Sequence, residues 1–454
     1  MIKDFSNKKI SVLGAGRSGI GIAKLLKKNN AMVFVSDSSP KEKLLYLDEN
    51  DFNNYSIDYE LGQNSDKIYD AEAIVVSPGI SPNSDVIKKA VTKNIKILSE
   101  VEVSSYFCEA PIIAITGTNG KTTTTELTGA ILREAGYDVH VCGNVGLAFS
   151  EIIPKLGSDS IVVLETSSFQ LEYTVNFSPK VAMILNITPD HIDWHLSLEN
   201  YVKAKFKICK NQSTNDLIII NYDDSQLKSR ISEFHSTIGA FSKEKIICDK
   251  IDLKCFLEND YICYMEKSKA RIITKNEVML RGTHNIMNSM AAILAVKQFN
   301  VKNNVIKKVL RIFKGVEHRI ELVKEINGVQ YYNDSKATNY DSMYVALESF
   351  DKNIILIMGG KKGADNFETV DSLIKDRVKI ICAIGQSRDS ISKHYKDIKI
   401  VHSFDSLDEA VCFANNISVR GDFVLFSPGY KSFDMFNNFE HRGEVFKGIV
   451  SNLK

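Results

Sequence analysis

Short, continuous apolar runs alternate with helix-patterned stretches along almost the whole chain. The runs at residues 9–13, 31–35, 73–76, 112–116, 161–164, 181–185, 217–221, 354–358, 379–384 and 423–427 set this rhythm. Several are apolar at consecutive positions and do not alternate. A strand with that pattern must be buried on both faces, as in a parallel sheet covered by helices. The chain therefore reads as α/β several times over. Its 454 residues exceed what one core normally covers, so two or three domains are expected.

Three glycine turns follow strand patterns and precede helical ones: Gly14-Ala15-Gly16, Gly117-Thr118-Asn119-Gly120 and Gly359-Gly360. Three successive α/β units are the natural reading. The boundaries fall near 104–110 and 314–319, giving domains 1–104, 105–313 and 314–454. A helix is expected over 285–299, followed by a basic helix. The stretch 242–273 alternates weakly and predicts antiparallel strands on the rim of the middle domain.

Charge and cysteine usage exclude several classes. Lys plus Arg is 57 and Asp plus Glu is 56, so no global basic field exists to bind nucleic acid. The 8 cysteines are scattered without a C-x-x-C pair. This argues against a zinc site or a disulfide framework and for reduced thiols in the cytoplasm. No apolar stretch is long enough to span a membrane, and the polar N-terminus lacks a signal peptide's apolar centre.

The strongest local signal is Ala114-Ile115-Thr116-Gly117-Thr118-Asn119-Gly120-Lys121-Thr122-Thr123. A buried strand ends in a glycine turn and opens a helix. Backbone amides and the positive helix end suit a polyphosphate. Lys121 can reach the terminal phosphates, and the Thr122 hydroxyl can ligate magnesium. The common phosphate-loop pattern needs glycine at 115, where this chain has Ile; the glycine sits at 117. An ordinary capped helix start is the plainer alternative.

Gly14, Gly16, Arg17 and Ser18 form a G-x-G-x-x-G turn that ends at Gly19, and Asp37 closes the next strand, where a ribose-binding acid belongs. Alone this suggests NAD, but the same turn suits a UDP-linked ligand. Ser77-Pro78-Gly79 ends another strand of that unit. In the middle domain, Glu165 ends a strand beside the phosphate loop, where a metal-holding acid is expected. Capping of the following helix is the alternative. His191 and His195 are four apart, but Ile192 stands where the zinc-protease motif has glutamate. Lys203, Lys205 and Lys207 follow on one helical pattern, and spacing does not choose among them.

The runs T-G-T-N-G-K-T-T, E-T-S-S-F-Q-L-E, N-I-T-P-D-H-I-D and Y-V-K-A-K resemble the central domain of the Mur ligases and their folylpolyglutamate-synthase relatives. The resemblance covers essentially the whole chain. It implies an N-terminal Rossmann-like UDP-binding domain, a central ATPase-like domain with a phosphate loop, and a C-terminal Rossmann-like domain. It implies ATP on Gly117, Thr118, Asn119, Gly120, Lys121, Thr122 and Thr123, with adenine near Asn285. It also implies two Mg2+ ions (or Mn2+): Thr122 and Glu165 hold one, and His191 with a carbamylated Lys205 holds the other. A carbamate suits the site because an ammonium would repel the metal.

E-H-R at 317–319, N-D-S-K-A-T-N at 333–339 and the S-F-D-M-F-x-x-F-E-x-R-G run from Ser432 resemble the D-glutamate-adding branch of the family. The implied substrates are D-glutamate and UDP-N-acetylmuramoyl-L-alanine, joined through an acyl phosphate by a monomeric cytoplasmic enzyme. Arg319 and Asp334 then face ATP, and Lys336 faces the reaction centre. Thr338, Lys362, Ser432 and Phe439 face D-glutamate. Gly14, Gly16, Arg17, Ser18, Asp37, Ser77, Pro78, Gly79 and Asn144 face the UDP substrate. Lys121, His191, Lys205 and Lys336 are the expected catalytic set. Two departures stand out. Many members read S-P-A-C-A-S where this chain reads S-P-G-Y-K-S, which places Tyr430 and Lys431 beside the amino-acid pocket. The loop 359–365 is also one residue shorter than a common form, so Lys361 and Lys362 compete for one role. Another Mur-type or folate-type ligase, an NAD-dependent oxidoreductase and a non-catalytic nucleotide-binding module are the alternatives.

Overall fold

The computed structural model describes residues 4–44, 49–363 and 365–453, with backbone alone for 49–51. Three sheets form among the described residues. The first contains β1 (Lys9–Leu13), β2 (Met32–Asp37), β3 (Asp58–Leu61), β4 (Ala73–Val76) and β5 (Lys96–Ser99). Its spatial order is β3-β2-β1-β4-β5, with every pair parallel.

The second sheet contains β6 (Ile112–Thr116), β7 (Asp138–Gly143), β8 (Ser160–Glu165), β9 (Val181–Ile184), β10 (Leu217–Asn221), β11 (Thr237–Ser242), β12 (Leu253–Glu258), β13 (Tyr261–Met265) and β14 (Lys269–Thr274). Its order is β14-β13-β12-β11-β10-β9-β6-β8-β7. The third contains β15 (Glu321–Ile326), β16 (Val329–Asn333), β17 (Ile354–Gly359), β18 (Val378–Ile384), β19 (Ile400–Ser403) and β20 (Phe423–Phe426), in the order β15-β16-β20-β17-β18-β19.

The apolar runs became central strands for the expected reason. β6, β8, β9 and β17 are buried at every position. Helices cover both faces. In the first unit, the helix Arg17–Lys28 turns Ile20, Ile22, Leu25 and Leu26 inward onto Ile10, Val12 and Val35. One difference from the expected pattern lies on the rim of the middle sheet. β12 joins β11 in parallel, and only β12-β13-β14 is antiparallel. The β12–β13 hairpin turns on Asn259 and Asp260, both left-handed (φ 49° and 64°), which is the two-residue turn that fits strand twist.

The chain divides into two compact units: Met1–Glu277 with Met287–Arg311, and Val278–Ile286 with Ile312–Lys454. Residues 278–286, expected within the middle domain, group with the C-terminal one. Inside the first unit, a short helix, Glu100–Ser105, joins the first two sheets. Glu102 is its lock. Its carboxylate is fully buried and accepts from the backbone amides of Val175, Asn176 and Phe177 at 2.9, 2.8 and 3.0 Å. It also accepts from the Tyr106 hydroxyl. Leaving each such buried amide unpaired would cost about 1–3 kcal/mol, so this joint is stiff.

Candidate active site

The middle sheet changes direction at β6. The chain leaves β6 for β7 at the edge, returns as β8 on one side of β6, and then crosses to β9 on the other. Ligands of open α/β sheets bind where strand order reverses, beyond the carboxyl ends. The loop Gly117–Gly120, Glu165 and residues 185–191 all leave from that point.

The loop is a built cradle. Gly120 is left-handed (φ +83°) and caps the helix Lys121–Glu134. A Cβ at 120 would lie 2.4 Å from Asn288 Oδ1, so only glycine fits. The Asn186 carboxamide holds the loop from the other side. Its Oδ1 accepts from the amides of Thr118 (3.1 Å) and Asn119 (2.8 Å), and its Nδ2 donates to the Asn119 carbonyl at 3.0 Å. Lys121 Nζ folds over the loop and donates to the carbonyls of Gly117 and Thr118, both at 2.9 Å. Ile115, where the common pattern has glycine, is a buried strand residue, so the loop simply begins two residues later.

Glu165 ends β8 and is buried. Its Oε1 accepts from Asn144 Nδ2 at 3.0 Å. Its Oε2 is buried and has no hydrogen-bond partner among the described residues. A buried carboxylate oxygen is costly to leave unpaired, and it is a hard ligand that a divalent cation would satisfy. Thr122, buried at the start of the helix, supplies a hydroxyl nearby in sequence to the loop.

Burial separates the three lysines that spacing could not. Lys203 is exposed and 3.9 Å from Glu199, and Lys207 pairs with Glu172 at 2.7 Å. Lys205, on the helix Leu198–Phe206, is only 1% exposed. Its Nζ donates to the Gly117 carbonyl at 2.8 Å and stands 4.5 Å from the Tyr201 ring centroid. Burial, and then the nearby Lys121 ammonium, push its pKa well below the ordinary lysine value. The Tyr201 hydroxyl lies 3.0 Å from Thr118 Oγ1, which ties this helix to the loop.

The two histidines part company. His191 is left-handed (φ 52°), with Nε2 3.4 Å from Asp190 and its ring 4.8 Å from that of Phe169. His195 turns inward, bonds Ser168 Oγ at 2.9 Å, and is pushed to about 4 by burial and then Lys205. His195 is a neutral packing residue.

In the first sheet, the chain also reverses at β1, between β2 and β4. The turns after β1 and β4 meet there: Ser77 Oγ donates to the Gly14 carbonyl at 3.4 Å. Gly16 caps the helix that Arg17 and Ser18 begin. Arg17 reaches the Gly146 carbonyl, beside Asn144. The Asp37 carboxylate accepts from the amides of Ala15 and Ser39, each at 2.7 Å, so it also shapes the glycine turn. Pro78 and Gly79 complete the turn after β4.

In the second unit, β16, β20 and β17 are neighbours, and the segments 334–339, 427–432 and 360–363 leave their carboxyl ends. Asp334 is buried and accepts from Ser427 Oγ (2.7 Å) and the Ile320 amide (3.2 Å). Burial raises its pKa to about 7, opposed by Ser427 and Arg319. Lys336 Nζ lies 5.9 Å from the Phe439 ring centroid. Ser432 is buried, Thr338 and Arg319 are half-buried, and Lys362 is exposed. Asn285 is buried, with Nδ2 donating to the Arg281 carbonyl at 2.7 Å. Arg442 laces two of these loops together. Its guanidinium donates to Ser335 Oγ (3.0 Å), the Ser335 carbonyl (2.8 Å) and the Tyr430 carbonyl (3.0 Å).

Asn186, Asn288, Tyr201 and Arg442 were not singled out from the sequence. The first three shape the phosphate loop, and the fourth shapes the C-terminal loops. Asn186, Tyr201 and Arg442 did sit inside the motifs N-I-T-P-D-H-I-D, Y-V-K-A-K and S-F-D-M-F-x-x-F-E-x-R-G, and that position was the available signal.

Comparison with known proteins follows the same division. The Mur ligase middle domain matches residues 115–296, the MurD N-terminal domain residues 9–86, and the Mur ligase glutamate ligase domain residues 318–429. The UDP-N-acetylmuramoylalanine–D-glutamate ligase of Caldicellulosiruptor bescii is 40% identical over 458 residues, covering 99% of each chain. That of Chloroherpeton thalassium is 37% identical over 466 residues, again covering 99% of each. The crystal structure of UDP-N-acetylmuramate–alanine ligase from Thermotoga maritima shares the fold, with a TM-score of 0.57, 18% identity, and coverage of 99% of this chain and 100% of that one.

Proposed function

The chain belongs to the Mur ligase family, and on that premise we infer that it joins D-glutamate to UDP-N-acetylmuramoyl-L-alanine in an ATP-dependent step of peptidoglycan precursor synthesis. The observation that carries this reading is the 37–40% identity, end to end, to ligases of that name. The nicotinamide alternative for the N-terminal glycine turn gives way to a UDP-linked substrate.

The proposed reaction has two steps. An oxygen of the L-alanyl carboxylate attacks the γ-phosphorus of ATP, ADP leaves, and an acyl phosphate forms. The D-glutamate amine then attacks the acyl carbon and loses a proton. The tetrahedral intermediate collapses to the amide and releases phosphate. Little covalent chemistry falls to the protein, so positioning and charge neutralisation dominate.

Gly117, Thr118, Asn119, Gly120, Thr122 and Thr123 present the loop to the phosphates, and Lys121 neutralises them. Asn285 serves adenine, and Arg319 and Asp334 serve the nucleotide. Lys336 serves the reacting carboxylate, and Thr338, Lys362, Ser432 and Phe439 serve D-glutamate. Gly14, Gly16, Arg17, Ser18, Asp37, Ser77, Pro78, Gly79 and Asn144 serve the UDP substrate. His191 and Asp334 are the two candidates for taking the amine proton. Burial brings the Asp334 carboxyl to about 7.

Two Mg2+ ions, or Mn2+, fit the donor set: Thr122 with the unpartnered Glu165 Oε2, and His191 with Lys205. Bound there, they supply positive charge to the phosphoryl oxygens. Lys205 suits this role only after carbamylation. Its buried Nζ favours the neutral amine, which adds CO2, releases a proton and becomes an anion. No helix among the described residues is long and apolar enough to cross a membrane. We place the enzyme in the cytoplasm, with its nucleotide substrates, as a monomer.

The acyl phosphate has a direct signature. With 18O in the L-alanyl carboxylate, one labelled oxygen should appear in the released phosphate. Phosphate free of label, alongside normal amide product, would rule the intermediate out.

A further inference from the structure

Two of the residues at which this chain leaves the family pattern, Tyr430 and Lys431, hold the two ends of its shortened loop. The Lys361 amide donates to the Lys431 carbonyl at 2.8 Å, which fixes the entry. Gly360 makes that approach possible: a Cβ there would lie 2.5 Å from the same carbonyl oxygen. The Tyr430 hydroxyl donates to Asp365 Oδ1 at 2.6 Å, which fixes the exit. Lys362 lies between these two anchors.

Tyr430 is itself rigid. It is 3% exposed, and its carbonyl accepts from buried Arg442. Its ring meets that of Tyr340 edge-on at 5.4 Å. The Tyr340 hydroxyl donates to the Tyr430 hydroxyl at 2.5 Å. The relay therefore runs from Tyr340 through Tyr430 to Asp365, each donor strengthening the next. Tyr340 begins the helix Tyr340–Glu348, directly after the Thr338 loop. One hydroxyl chain thus joins all three loops that leave β16, β20 and β17. A cysteine or alanine at 430 would be too short to reach Asp365.

We propose that Tyr430 is a positioning residue for the amino-acid substrate: through Asp365 it clamps the loop bearing Lys361 and Lys362 and so sets the affinity for D-glutamate. The inference rests on the ligase reading and on the assignment of this loop to D-glutamate. Tyr430 itself need not touch substrate.

The test is Tyr430→Phe, which keeps the ring and removes one oxygen. The KM for D-glutamate should rise about tenfold, the worth of a hydrogen bond to a charged group, with kcat within about twofold. The KM values for ATP and the UDP substrate should stay put, as should the melting temperature. Asp365→Ala should reproduce the shift, Asp365→Asn, which keeps an acceptor, should recover most of it, and the double variant should be no worse than either single one. Amide hydrogen exchange at Lys361, Lys362, Gly363 and Asp365, read without turnover, should quicken in Tyr430→Phe and Asp365→Ala. Unchanged exchange overturns the clamp whatever the enzyme's activity. An unchanged D-glutamate KM, or a parallel rise in all three KM values, overturns its role in substrate affinity. Inactivity of the wild type with D-glutamate would instead strike the ligase reading, leaving the exchange result to decide the clamp.

Discussion

Lys121→Ala is expected to lower ligation by about a thousandfold or more, in line with removal of a group that stabilises charge only as it develops on a phosphoryl centre. The structure explains why no neighbour can substitute. Lys121 is the cation that folds over the loop carbonyls, at Gly117 and Thr118. Lys205, the other lysine at this loop, is buried and shifted toward its neutral form. The variant should nonetheless fold. The loop stays held by Asn186, whose carboxamide bonds Thr118 and Asn119 from the other side. The measurement is ADP release at saturating substrates, with melting temperature as the control. A loss under about tenfold would remove Lys121 from the transition state.

Lys205→Ala should be nearly as damaging, for a different reason. As an amine, Lys205 merely packs against Gly117 and Tyr201, and alanine would cost packing while the Gly117 carbonyl keeps its bond from Lys121. As a carbamate it supplies an anion in addition to Glu165. The two accounts separate on rescue. If the carbamate matters, activity should fall by about a thousandfold, the scale of losing a charged group at a metal-assisted site, and return in part with added acetate or propionate. The wild type should also slow when CO2 and bicarbonate are stripped, whereas the variant should not respond. Full activity of Lys205→Ala, or wild-type activity indifferent to CO2, would refute the carbamate.

Much of the fold was legible because the central strands are buried on both faces. Runs such as residues 112–115 and Val181–Ile184 have no polar positions to disguise them. Three of the edge strands were not legible. β3, β15 and β19 are largely half-exposed or exposed, so their sequences mix Asp, Glu, Lys and His with apolar residues. At the site, glycine, lysine and paired threonines announced the phosphate loop, and Glu165 announced itself by ending a strand. Asn186 and Asn288 did not. A neutral amide acts here by shape and by hydrogen-bond direction, which appear only once β9 and the helix Thr283–Lys297 are in place. Burial likewise singled out Lys205, a property that three lysines at alternate positions do not reveal. Tyr430 shows the same limit from the other side. It stood out as a departure from the pattern, but its meaning depended on Asp365, sixty-five positions away.

Product analysis separates D-glutamate addition from the addition of any other amino acid. The enzyme is supplied with ATP, Mg2+ and UDP-N-acetylmuramoyl-L-alanine, and offered D-glutamate, L-glutamate, L-lysine and diaminopimelate separately. ADP release and the mass of the new UDP-linked product are followed. D-glutamate should support stoichiometric ADP release and a product heavier by one glutamyl residue, and the other three should give background. Turnover with another of these amino acids and none with D-glutamate would contradict the account.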